Sequence, residues 1–183
     1  QAAIQQLGDG QTLTETFTVK AADGTTSSVT VTINGTNDVA VISSSGTTGS
    51  VTEDASVSAG QISTGGTLSV SDSDAGQATF QAQPATNGAY GTFTLAADGT
   101  WTYTANNSQA AIQQLGDGQT LTETFTVKAA DGTTSSVTVT INGTNDVAVI
   151  SSSGTTGSVT EDASVSAGQI STGGTLSVAD TDV

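Results

Sequence analysis

A chain of 183 residues with 17 acidic side chains against 2 lysines carries a formal charge of -15, and it has no histidine and no cysteine. That balance excludes a nucleic-acid partner held through its phosphates and disfavours an anionic membrane surface, while the lack of an apolar run of about 18 residues excludes membrane insertion by a spanning helix. Without cysteine there is no disulfide or thiolate chemistry, and zinc loses its preferred ligands.

In chain order, the first elements already announce a repeat. The string QAAIQQLGDGQTLTETFTVKAADGTT begins at Gln1 and again at Gln109, a period of 108 residues. Residues 1–75 overlay residues 109–183 with three differences: Ser71 becomes Ala179, Ser73 becomes Thr181 and Ala75 becomes Val183. A period of this size suits a small domain rather than a solenoid unit. The chain therefore reads as a window on a longer tandem array. Residues 1–38 are the C-terminal fragment of one repeat, 39–146 a complete repeat, and 147–183 the N-terminal fragment of the next.

Within the complete repeat, strands are predicted near 39–43, 49–53, 67–71, 78–83, 90–96, 100–105, 119–129 and 134–142, separated by Gly, Asn, Asp and Ser clusters. SQAAIQQL (108–115) has room for one or two helical turns, and IQQLGDGQTL is expected to turn the corner between two sheets. In TETFTVK, Phe125 and Val127 share one face; in SVTVTI, Val137, Val139 and Ile141 do. A three-residue loop at Ala130, Asp131 and Gly132 pairs Phe125 with Val137 and Val127 with Ser135, so the apolar faces agree. The same loop at Ala97, Asp98 and Gly99 pairs Phe93 with Tyr103 and Leu95 with Trp101. Seven or eight short antiparallel strands without a helical layer predict an all-β sandwich of immunoglobulin type. Its core is expected to hold Phe80, Phe93, Leu95, Trp101, Tyr103, Leu115, Leu121 and Phe125. Leu, Ile, Val and Phe together make 36 of 183 residues, so the core is thin for so much charge.

The acids divide by context. Asp98, Asp131 and its copy Asp23 fit Asp-Gly turns, as does Asp117. Glu123 reads as an outward, solvated strand residue. Three clusters have no basic neighbour to neutralise them. They are Asp72 and Asp74, repeated as Asp180 and Asp182; Glu53 and Asp54, repeated as Glu161 and Asp162; and Asn37 and Asp38, repeated as Asn145 and Asp146. A hard cation fits such oxygen-only sets: Ca²⁺ accepts carboxylate, amide and backbone oxygens in irregular geometry, whereas Mg²⁺ retains its water. The Asn-Asp pair ends the last strand of one repeat, the D-x-D pair lies early in the next, and the Glu-Asp pair lies in the preceding one. The candidate site is therefore the junction between repeats.

The whole unit, from VTEDASVSAGQISTGGTLSVSDSDAG through YGTFTLAADGTWTYTANNSQ to GTND, resembles the VCBS repeat of giant repeats-in-toxin adhesins exported by type I secretion. The motifs that carry the likeness are G-T-W-x-Y, G-x-x-L-T-E-x-F and G-T-N-D. Val147 and Ala148 depart from the Ala-Pro that often follows the last of these. The resemblance implies an extracellular, immunoglobulin- or cadherin-like domain stacked in large numbers as a stalk at the bacterial cell surface. It implies Ca²⁺ as the cofactor and neighbouring repeats of the same chain as partners. By position it assigns Asn145, Asp146, Asp180, Asp182, Glu53 and Asp54 to one junction. Asn37, Asp38, Asp72 and Asp74 belong to another, and Glu161 and Asp162, the copies of Glu53 and Asp54, are candidate ligands likewise.

The expected function is a calcium-stiffened, non-catalytic spacer. One rival is a filament in which other copies exchange strands. Another is a calcium-dependent glycan-binding module, which calls for exposed aromatic side chains beside the acids. An enzyme is the least expected reading, since no Ser stands beside a base.

Overall fold

The computed structural model describes every residue except 152, 153, 164 and 183. The preceding fragment contributes a short helix α1 (Ala2–Gln5) and a hairpin of β1 (Thr12–Lys20) and β2 (Thr26–Asn34). The complete repeat holds β3 (Val41–Ile42), β4 (Thr48–Thr52), β5 (Gln61–Thr67), β6 (Val70–Ser71), β7 (Gln83–Asn87), β8 (Gly91–Leu95), β9 (Thr100–Asn106), α2 (Ala110–Gln113), β10 (Thr120–Lys128) and β11 (Thr134–Asn142). In the following fragment, β12 (Val149–Ile150) pairs with β13 (Val178–Ala179).

The complete repeat is a sandwich of two sheets, ordered β10-β11-β4 and β5-β9-β8-β7, with a small β3-β6 pair at one end. The expected hairpin registers are present: Phe125 faces Val137, Val127 faces Ser135, Phe93 faces Tyr103 and Leu95 faces Trp101. Three-residue Asp-Gly loops produce them because Gly99 and Gly132 take the left-handed conformation that closes the bulge, at φ 89° and 96°. α2 carries the chain from the four-stranded sheet to the three-stranded one, so the expected corner forms where LGDG sits.

Three departures matter. β4 runs parallel to β11, not antiparallel, pairing Val51 with Ile141. β5 runs over 61–67, where no strand was expected. The run at 78–83 is not a strand: Phe80 makes an isolated bridge to Ala129, and regular pairing starts at Gln83.

The core lies between the sheets. Phe93 stacks on Phe125 of the opposite sheet at 4.8 Å between ring centres and on Trp101 at 5.8 Å. Ile62, Leu68, Ile112, Val127, Val137, Val139 and Ile141 complete it, while Leu121 is only half-buried. Trp101 donates its indole N–H to the Gly46 carbonyl at 2.9 Å. Its ring reaches β4 because Gly49 leaves room: a Cβ there would stand 2.6 Å from Trp101 Cη2. Gly49→Ala should therefore cost about 1–3 kcal/mol as an overpacking defect. A thermal melt checks this, and an unchanged midpoint would show that the ring has space to move.

One assignment is overturned outright. Glu123 is not a solvated strand residue; it is 7% exposed. It lies two residues before Phe125, so strand alternation turns it inward with Phe125 and Val127. Its Oε1 accepts the amides of Ala89 and Tyr90 in the β7–β8 loop, and its Oε2 accepts the Tyr103 hydroxyl. Burial first, then the Glu123 carboxylate, pushes the Tyr103 phenol well above its ordinary range.

Candidate metal centre at the repeat junctions

The junction is built by local carboxylate–backbone bonds. In LSVSDSDAG the chain leaves β6 and turns: Asp74 N–H donates to Asp72 Oδ1 at 2.9 Å, as in an Asx turn. Asp74, 3% exposed, then reaches the linker, and its Oδ2 accepts the Asp38 amide at 2.9 Å. Gln77 Nε2 donates to the same oxygen at 3.3 Å. The preceding fragment closes the other side. Gln6 O accepts the Ala75 amide at 3.1 Å, and Gly8 lies so near that a Cβ would stand 3.2 Å from Asp74 Oδ2. Asn37 folds back on the linker, donating Nδ2 to Asp38 O at 2.6 Å.

The second junction repeats this geometry. Asp182 Oδ2 accepts the Asp146 amide at 2.9 Å, Asp180 Oδ1 accepts the Asp182 amide at 3.2 Å, and Asn145 Nδ2 donates to Asp146 O at 2.7 Å. It adds Glu53, which is 1% exposed and accepts the Thr144 amide on Oε1 at 2.9 Å. Burial pushes the Glu53 carboxyl above its ordinary value. The Thr144 amide opposes this, while Asp54, Asp146 and Asp182 push in the same direction as burial.

The Glu-Asp pair separates. Asp54 takes a left-handed conformation (φ 57°) and turns to its own domain. It exchanges bonds with Asn107, at 3.0 Å from its amide and 2.6 Å to its Oδ1, and Oδ1 also accepts Gln113 Nε2 at 3.2 Å. Glu161 and Asp162 are exposed in the following fragment.

Among the described residues, no three or more acidic side chains converge closely enough to form a metal cage. The donor chemistry nonetheless fits a hard cation. Among the described residues, five buried side-chain polar atoms lack a hydrogen-bond partner, and four of them are junction carboxylate oxygens: Asp72 Oδ2 and Asp74 Oδ1 at the first junction, Glu53 Oε2 and Asp182 Oδ1 at the second. The fifth is Gln83 Oε1, between β7 and β10. A buried anionic oxygen without donors is costly, and a cation is the partner that this set of oxygens accommodates.

Sequence reasoning read Asp131 only as a turn residue. It is one, accepting the Thr133 amide at 2.8 Å, but its Oδ2 also accepts the amide of Ala40 in the linker, at 2.9 Å. Nothing in the string AADGTT separates it from Asp23, so the sequence offered no signal for this contact.

A concavity of about 490 Å³ lies elsewhere, between residues 86–89 and 122–126, with both Glu123 oxygens already bonded. No curated protein matches the chain. The two-sheet sandwich agrees with what comparison with known families finds: the sequence profile of the bacterial cadherin-like domain matches residues 37–143, and the chain belongs to that family.

Proposed function

We propose that the chain is a calcium-stabilised spacer segment of a large bacterial surface adhesin of the VCBS type. Cadherin-like domains are extracellular adhesion-type modules, and stacking them end to end makes a stalk whose shape is set at the junctions. The observation that carries the reading is the concentration of orphaned, buried carboxylate oxygens where one repeat meets the next.

Asp72, Asp74 and Asp38 would hold the ion at the first junction, and Glu53, Asp146, Asp180 and Asp182 at the second, with Asn37 and Asn145 beside them. Asp54 would act through its position next to Glu53, since its own carboxylate is bonded to Asn107 and Gln113. When bound, calcium supplies positive charge to oxygens that otherwise repel one another. The protein's part is done by the amides of Asp38, Asp146 and Thr144. They fix one oxygen of each carboxylate and leave the other turned to the junction. Each repeat then adds a rod segment of about 30 Å, the length of the nine-residue strands β10 and β11. A thin core makes the metal-free repeat weakly stable, which suits a chain that crosses a secretion channel unfolded and folds outside the cell.

Titrating calcium into the chain should raise the melting temperature and lengthen the particle in small-angle scattering, and EDTA should reverse both. At a hundredfold excess over Kd the gain is about 2.7 kcal/mol per site. Magnesium at the same concentration should do much less. If EDTA leaves both midpoint and length unchanged, the spacer is not calcium-dependent.

A further inference from the structure

We infer that Asp131 is a metal-independent latch on the linker between repeats, a positioning residue that fixes the direction from which each repeat receives the one before it. The inference rests on the spacer reading for its importance, since junction geometry matters only in a stacked array. The contact itself rests on the fold.

The chain carries three Asp-Gly turns of the same kind; Asp23 repeats Asp131 in a unit whose own linker is not in the sequence, so Asp98 is the comparison that bears. Asp23, Asp98 and Asp131 each accept the amide two residues on, from Thr25 at 2.9 Å, Thr100 at 2.9 Å and Thr133 at 2.8 Å. That bond serves the turn. Asp131 alone among them has a second, distant partner: its Oδ2 takes the Thr133 hydroxyl at 2.6 Å and the Ala40 amide at 2.9 Å, across 91 positions of sequence. Topology explains the difference. The β10–β11 hairpin turns at the end of the repeat where the linker arrives, so its loop lies against the strand that opens the domain. Ala40 is 3% exposed, although Val39 and Val41 on either side of it are 73% and 66% exposed. The polar tie to Asp131 thus reaches a linker residue that is itself buried.

Together the bonds define the hinge. Gly35 is held to the upstream repeat, its amide donating to Gln11 O at 2.8 Å. Asp38 is held downstream by Asp74, and Ala40 by Asp131. Asp74 is one of the carboxylates left with an orphaned oxygen and would be a ligand of the ion, so its grip would change with the metal. Asp131 has no such dependence. With the metal removed, bending is confined to Thr36–Val39, and the downstream repeat keeps its own first residues in place.

The test is amide hydrogen exchange by NMR on the full chain, in EDTA and in calcium, comparing the parent with Asp131→Asn and Asp98→Asn. Asparagine keeps the turn bond to Thr133 and presents an amide N–H₂ where Ala40 needs an acceptor. Exchange at Ala40 should speed up at least tenfold in D131N and stay at the parent rate in D98N, with core amides such as Phe125 unchanged in both. Asp131→Ser, a second turn-compatible change, should match D131N. Parent-like protection of Ala40 in D131N, or an equal loss in D98N, overturns the latch. If Ala40 opens in D131N while calcium changes nothing in the parent, the latch stands and the calcium reading falls.

Discussion

Glu123→Ala should lower the stability of the complete repeat by about 3–5 kcal/mol, enough to move its melting temperature by more than about 12 °C. Three donors converge on this carboxylate: the amides of Ala89 and Tyr90 and the hydroxyl of Tyr103, a residue with no exposed surface. Truncation strands all three, and each buried donor left without an acceptor costs about 1–3 kcal/mol. The 88–90 loop that carries the two amides is otherwise tied by the Gly88 amide to Gly91 O at 2.8 Å and by Gln109 Nε2 to Tyr90 O at 2.6 Å. β7 is the edge strand of its sheet, and its register with β8 breaks between Gln83 and Thr86. Glu123→Gln keeps one acceptor oxygen for the amides and should lose only about 1–2 kcal/mol. The chain contains its own control: Glu15 occupies the same place in the preceding hairpin, is exposed, and its alanine variant should melt as the parent does. A parent-like melt for E123A would show that the inward carboxylate is not what fixes the β7–β8 loop.

Glu123 also marks the boundary of what the sequence makes legible. The hairpin registers follow from the period of two, because Phe125, Val127, Val137 and Val139 must share a face and one loop length satisfies them all. The same parity places Glu123 inside, so the reading that it alternates outward miscounts its own strand, and three convergent donors satisfy its charge there. β5 was hidden for a different reason. Gly65 and Gly66 interrupt its alternation, and they are there because the Trp101 side chain and backbone of β9 press against that strand: a Cβ at Gly66 would stand 3.0 Å from the indole. The direction of β4 leaves no trace in a hydrophobic pattern, since parallel and antiparallel edges bury the same residues. The junctions were legible as composition and position, because acids without cations are conspicuous. The split between Glu53 and Asp54 was not, because it depends on a left-handed residue whose partners, Asn107 and Gln113, lie more than 50 positions away.

The second large effect is an inversion of sign at Glu53. In metal-free buffer Glu53→Gln should stabilise the chain by about 1–3 kcal/mol, because it replaces a buried, partnerless carboxylate oxygen with a neutral amide of the same shape. The Oε1 acceptor for the Thr144 amide is retained. The same variant should lose the calcium-induced gain at the second junction, about 2.7 kcal/mol at a hundredfold excess. Removing a charge would then help the protein in EDTA and harm it in calcium, a pattern no purely structural role produces. The pH dependence carries the same signature. Burial raises the Glu53 carboxyl above its ordinary value of 4.5 in the folded state, so the folded form binds the proton more tightly than the unfolded chain. In EDTA this contribution favours folding fully below pH 4.5 and is lost as pH rises through the raised value; in E53Q it is absent. Asp23, Asp98 and Asp131 act in the opposite sense and in a lower window. Their hydrogen bonds depress them below 3.8, so the stability they add is present above that pH and lost as pH falls through their lowered values. Melting the parent and E53Q from pH 7 to pH 3, with EDTA and with calcium, separates the two. A lower metal-free melting temperature for E53Q at pH 7 would mean that the Glu53 carboxylate is satisfied without a cation. An undiminished calcium response in E53Q would remove Glu53 from the metal centre.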